Sequence, residues 1–181
     1  MPFYQIYHSY PLTDDQQQTI ASAITHLHAT TFTTPSMFVH VQFTRSDESG
    51  ATTYFMAGKR RTSQSNRIVG VVRTSAVRSK TDFDALGLKI EDAWYSALGV
   101  QRGEPGDAFP AGEEAKKLSV VVFTPLVTVI EAGFAAPEAG QEGPWFRESL
   151  PVFKKLSASD SDFADMIQEI KEREDMKKLL V

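Results

Sequence analysis

A pattern that occurs twice constrains this chain most: a short apolar segment, an amphipathic helical segment, then a second short apolar segment. In the first half, Phe3 to His8 is rich in aromatic and β-branched residues and follows a proline, which the first position of a strand tolerates. Thr13-Asp14-Asp15-Gln16 has the form of a capping box, so a helix is predicted to start there. Ile20, Ala23, Ile24, Leu27 and His28 follow at spacings of three and four, which places them on one core-facing stripe. Met37, Val39, Val41 and Phe43 alternate with polar residues and predict a strand parallel to the first. In the second half, Ile68 to Val72 forms an apolar strand that ends at Arg73. Phe83, Leu86, Ile90, Trp94, Ala97 and Leu98 line one helix face, Gly99 ends that helix, and Leu118 to Phe123 supplies the matching strand. The right-handed crossover of each unit leads to an α+β protomer with one four-stranded sheet and two helices on one face.

The remaining segments are less regular. A short strand at 53–57 is expected to add an edge, and residues 60–66 read as polar and turn-prone. Val100 to Lys117, rich in Gly, Pro and Glu, reads as a surface excursion. From Asp160, Phe163, Met166, Ile167 and Ile170 form one face of a docked helix, with Glu169/Arg173 and Glu174/Lys178 as surface pairs. The expected organisation is one unit over residues 1–150 and an extra C-terminal helical extension over 151–181. Helices on one face leave the other face of the sheet to be covered, so an oligomer is expected.

Composition narrows the function classes. A net charge of -4 offers no diffuse basic field, so nucleic acid is not an expected partner. The absence of cysteine excludes disulfides, thiolate metal sites and a thiol nucleophile. No apolar run spans a bilayer and the first residues lack a signal-peptide pattern, so no membrane association and a cytoplasmic location are the default expectations. His8, His26 and His40 show no ligand spacing with a carboxylate, and no metal is expected.

Three segments carry a family resemblance: Pro2-Phe3-Tyr4-Gln5-Ile6-Tyr7, Ala23-Ile24-Thr25-His26-Leu27-His28, and Ile130-Glu131-Ala132-Gly133 through Gly140-Gln141-Glu142-Gly143-Pro144-Trp145-Phe146. In this order they resemble the cis-3-chloroacrylic acid dehalogenase group of the tautomerase superfamily. The resemblance covers roughly the first 150 residues by order of elements. It implies a tautomerase-like β-α-β-β-α-β protomer that assembles as a homotrimer, uses no cofactor, and places an N-terminal proline in a small anion-binding pocket. It further implies that His28 matches the family histidine, Arg73 the first arginine and Glu131 the glutamate. Arg78 matches the second arginine if two inserted residues are allowed. The family tyrosine would fall within Val120 to Val122 and is missing.

Removal of Met1 before a residue as small as proline would leave Pro2 as a secondary amine. Burial and the nearby Arg73 and Arg78 would lower its pKa from the ordinary α-amine range of about 7.7 to 8.0, so that it could move a proton between carbon and oxygen. Arg73 and Arg78 could hold the carboxylate of a small substrate, or act only as surface cations around a turn. His28 could be a core imidazole, a partner of the helix dipole or a donor to the substrate. Glu131, in the apolar stretch Val127 to Ile130, could activate water or lie at a strand end on the surface. Trp145 and Phe146 are expected to pack a pocket wall or a subunit contact. These residues favour a tautomerase or hydratase acting on α-keto, enol or unsaturated acids. A 3-haloacrylate dehalogenase and a non-catalytic oligomer of the same fold are the alternatives.

Overall fold

A computed structural model describes residues 1–46, 54–61, 66–104 and 106–178 of the protein. The first unit is β1 (Phe3–His8), α1 (Asp14–Thr31) and β2 (His40–Arg45). The capping box forms as the sequence predicts: Gln16 N donates to Thr13 Oγ1 at 3.2 Å, and Thr13 N donates to Gln16 Oε1 at 3.0 Å. Ile20, Ile24 and His28 are buried on the stripe that faces the sheet. The second strand starts later than its alternation suggests, because Ser36–Phe38 forms a 3-10 turn that carries Phe38 into a different core.

After β2 the chain forms a hairpin of β3 (Tyr54–Met56) and β4 (Lys59–Arg61). This corrects the expected extra edge: among the described residues β3 pairs with β4 alone, in a separate two-stranded ribbon. Thr53 and residues 62–65 of the expected strand and turn lie outside the described residues. The second unit is β5 (Asn66–Val72), α2 (Lys80–Ala97) and β6 (Leu118–Pro125). Asn66 opens β5 instead of ending a turn. Its buried carboxamide accepts from Ser9 N and Tyr10 N and donates to the carbonyls of Ala115 and Lys117, tying β1 to the approach to β6.

The sheet order is β2-β1-β5-β6, with parallel β1/β2 and β5/β6 pairs joined by an antiparallel β1/β5 contact. This is the expected single sheet of two similar halves. Tyr4, Ile6, Ile68 and Val72 point to the helix side and pack with Ile20, Ile24, Leu86, Ile90 and Trp94. Gly70 is required at the centre of β5, because an added Cβ would lie 2.9 Å from both the Tyr4 and the Phe123 rings. The closeness of those two rings fixes the position of Tyr4. On the opposite face, Phe3 and Val120 are exposed, and Val69, Val71 and Val122 are only partly covered.

Beyond β6 the chain forms a tight hairpin of β7 (Ile130–Glu131) and β8 (Phe134–Ala135), turned by Ala132 and Gly133 at φ 50° and 83°. Three helices follow: α3 (Glu142–Leu156), α4 (Ser161–Glu172) and α5 (Glu174–Lys177). The docked helix expected from Asp160 is α4, capped by Asp160 and buried through Phe163, Met166, Ile167 and Ile170, and it lies in a helical cluster with α3, which spans residue 150 without a break. Glu169 pairs with Arg173 at 2.7 Å, but α4 stops before Arg173. Glu174 consequently pairs with Lys177, not Lys178. Arg173, in extended conformation at the end of α4, donates to the carbonyls of Ala29 and Thr34 and so anchors this cluster to the end of α1.

The apolar faces of α3 and α4 form a second core from Phe146, Phe153, Phe163, Met166 and Ile170. Phe38 and Met1 are buried in the same core. No helix among the described residues is long and apolar enough to cross a membrane.

Candidate active site

The amino terminus lies where the two cores meet. Pro2 is buried, and its carbonyl accepts from His40 N at 3.1 Å, which pins the first residues beside the start of β2. Met1 is also buried and, with Phe38, Trp145, Phe146, Pro137 and Arg73, walls a small chamber. Burial strips solvent from the Met1 amine and, with the positive field of Arg73, lowers its pKa from 8.0 to about 5. Glu131 opposes this shift, Arg78 adds to it and Glu142 opposes it. Four charged side chains thus act on one amino group, which is neutral at pH 7.

Arg73 follows the end of β5, as expected. Arg78 sits five residues on, beyond a tight turn in which Arg78 N donates to Ser75 O at 3.1 Å. The turn absorbs the additional residues and returns the second guanidinium beside the first. Both converge on a residue that sequence reading did not select. Arg73 donates to Glu142 Oε1 at 2.9 Å, and Arg78 donates to the same oxygen. Glu142 Oε2 accepts from Gly140 N at 2.8 Å. Arg73 also donates to the carbonyl of Pro137, and Arg78 to that of Phe32. Desolvation lowers the pKa of each guanidinium, and Glu142 opposes the loss. The surface-cation alternative does not describe these side chains, because both are largely buried. The one available signal for Glu142 was its place in the Gly140 to Phe146 segment, ahead of an aromatic pair.

His28 is 2% exposed, and its Nδ1 shares a 2.8 Å hydrogen bond with the Tyr4 hydroxyl. Burial first, then the positive charges of the protonated amino terminus, Arg78 and Arg73, lower its pKa to about 3, so the ring is neutral at pH 7. Burial also raises the Tyr4 pKa, which keeps the hydroxyl protonated.

This arrangement implies an acid-sensitive fold. The unfolded ring titrates near 6.5 and the folded ring near 3, so the unfolded chain binds the extra proton between those values. The stability from a neutral His28 is complete above about pH 6.5 and is lost as pH falls toward 3. Denaturant midpoints measured across that range should fall for the natural chain and fall less for His28→Gln. Parallel curves would show that His28 protonates without penalty.

Glu131 ends β7, where its Oε1 meets His40 Nε2 at 2.9 Å and the His40 ring stacks on Phe3. The apolar stretch before it is not a buried strand: Val127 is 98% and Ile130 64% exposed. Tyr4 is bonded to His28, and Glu131 is paired with His40. Trp145 and Phe146 wall the Met1 chamber, with the Trp145 indole nitrogen anchored to Ala135 O at 3.0 Å. The larger groove between α2 and β6, lined by Phe83, Leu88 and Val121, lies elsewhere in the fold. Among the described residues, no cluster of three or more His, Asp or Glu could hold a metal ion.

A family described as "Putative oxalocrotonate tautomerase enzyme" matches residues 1–149. No curated protein matches the sequence. Among solved structures, the chain is similar to N1, a member of the cis-3-chloroacrylic acid dehalogenase family. Identity is 22% and the TM-score 0.58, covering 86% of this chain and 98% of that one. It is also similar to the F6 fused 4-OT wild type asymmetric trimer at 12% identity and TM-score 0.54, covering 74% and 95%. The MIF2 protein of Leishmania major matches at 15% identity and TM-score 0.52, covering 75% and 97%. At these identities the structural likeness shows a shared fold.

Proposed function

Because the chain belongs to the putative oxalocrotonate tautomerase enzyme family of the tautomerase superfamily, we propose that it is a cofactor-independent tautomerase or hydratase acting on small α-keto, enol or unsaturated carboxylic acids. The observation that carries this reading is the placement of a buried amino terminus among Arg73, Arg78, Glu131 and Glu142. Removal of Met1 makes Pro2 the terminal residue, and its ring nitrogen becomes a secondary amine in that field.

The neutral amine takes a proton from an enol hydroxyl or from the carbon beside a keto group, and returns it at the neighbouring position. Arg73 and Arg78 orient the substrate carboxylate and oppose negative charge as it grows on the enolate oxygen. His28, held in place by Tyr4, is the imidazole we assign to the same oxygen. Glu131 supports the hydratase variant, in which its carboxylate takes a proton from the attacking water while the amine, in its protonated ammonium form, delivers one to the substrate carbon. Its pairing with His40, with no tyrosine at Val120 to Val122, favours tautomerisation over halide expulsion. The valine-bearing face of the sheet is the surface we assign to self-association as a homotrimer.

Mass spectrometry should find the chain without Met1, and that species should convert phenylenolpyruvate to its keto form. Halide released from a cis-3-haloacrylate at a comparable rate would favour the dehalogenase instead. A processed chain that accelerates neither reaction above buffer would leave a non-catalytic oligomer.

A further inference from the structure

The chamber around Met1 and the ion triad beside it bear on which acid the site accepts. With Met1 in place, the free space left in the chamber is about 10 Å³, around the limit for one water molecule. Met1 is one wall of that space and is itself buried in the core that holds Phe38 and Phe146, so its loss would enlarge the chamber by a slot the length of its side chain. The slot is apolar on most sides, through Phe38, Trp145, Phe146 and Pro137, and polar at the edge where Arg73 and Glu142 stand.

The polar edge is charge-compensated. Two guanidiniums share one carboxylate oxygen of Glu142, so the triad carries a net single positive charge. Arg73 is held in place from two sides. One terminal nitrogen goes to Pro137 O and the other to Glu142, while Nε is buried without a partner. An incoming ligand is thus offered one unit of net positive charge for a single carboxylate, next to an aromatic slot in which a second carboxylate would be desolvated without a partner.

Building on the tautomerase reading, we propose that Glu142 is a specificity-determining residue. It matches the site to monocarboxylates with a slender apolar or aromatic tail in the Met1 chamber, and it excludes dicarboxylates. Glu142 acts by neutralising one guanidinium, and the aromatic walls act by leaving a distal anion unsolvated.

The test compares processed chain and Glu142→Gln on phenylenolpyruvate, a monocarboxylate, and 2-hydroxymuconate, a dicarboxylate. The natural chain should favour the first in kcat/KM by about tenfold or more, a difference equal to about 1.4 kcal/mol. Glu142→Gln should shrink or invert that ratio through KM for the dicarboxylate, and Glu142→Asp should restore it. A calorimetric arm with 3-phenylpropionate and adipate reads the same preference without turnover, so it still decides the matter if no reaction is catalysed. Preference of the natural chain for the dicarboxylate, or a ratio that Glu142→Gln leaves unchanged while the variant keeps its melting temperature, would overturn the proposal. Loss of turnover with retained preference for 3-phenylpropionate would instead count against the tautomerase reading alone.

Discussion

Pro2→Ala is expected to lower kcat/KM for phenylenolpyruvate by about a hundredfold or more, within the range a positioned general base supplies. Alanine is also small enough for Met1 to be removed, so the variant retains an amine, but a primary one on a backbone without the proline ring. The loss therefore reports the position and character of the nitrogen, not its mere presence. The pH profile provides a second reading. A neutral amine is the active base, so kcat/KM should hold a plateau at neutral pH and fall on the acid side as the amine takes up a proton. Burial and Arg73 lower the pKa of the Met1 amine at this place to about 5. The acid limb should accordingly lie well below the ordinary α-amine range of about 7.7 to 8.0. Arg73→Met removes a positive charge that disfavours the ammonium, so in that variant the limb should move to higher pH. Equal rates for Pro2→Ala and the natural chain, or a limb that ignores Arg73, would end the proline mechanism.

Phe153→Ala should destabilise the protein by about 3 to 5 kcal/mol, the range for removing a buried aromatic side chain from a well-packed core. Phe153 is fully buried, with ring centroids of Phe134 at 5.0 Å, Trp145 at 5.4 Å, Phe163 at 5.6 Å and Phe146 at 6.1 Å. Few of these neighbours can collapse into the space, because each is a rigid ring held by others. Thermal and denaturant unfolding would measure the loss, with Phe55→Ala as the exposed control, expected within about 0.5 kcal/mol of the natural chain. The effect should extend to the site, since α3 carries Phe153 together with Glu142, Trp145 and Phe146. Loosened packing should weaken binding of 3-phenylpropionate in parallel with stability. A change of less than about 1 kcal/mol at Phe153 would show that the second core is not tightly packed.

The family relation also explains which parts of the site could be read in advance. Arg73 was legible because it ends a strand with an unmistakable apolar run, and Pro2 because a strand begins immediately after it. His28 was legible as the last member of a helical stripe. Its role was not, since the hydroxyl that holds it belongs to Tyr4 on a different element, 24 residues away. The His40 partner of Glu131 lies 91 residues from it in the chain. The α3 helix was less legible than α1, because its start lacks a side-chain cap and its interior contains Pro151.

The sequence by itself determined the two strand-helix-strand units, their capping and their buried stripes, because periodicity and capping are settled among residues a few positions apart. Tertiary structure alone decided the charge of the site and its shape. Glu142 meets Arg73 and Arg78 across 69 and 64 residues, and its carboxylate can share two guanidiniums only because the turn at Ser75 and the start of α3 converge there. The aromatic chamber likewise exists only once α3 and α4 bury their apolar faces against Phe38 and the amino terminus. Such long-range pairings depend on how elements pack, and no local pattern of residues encodes them.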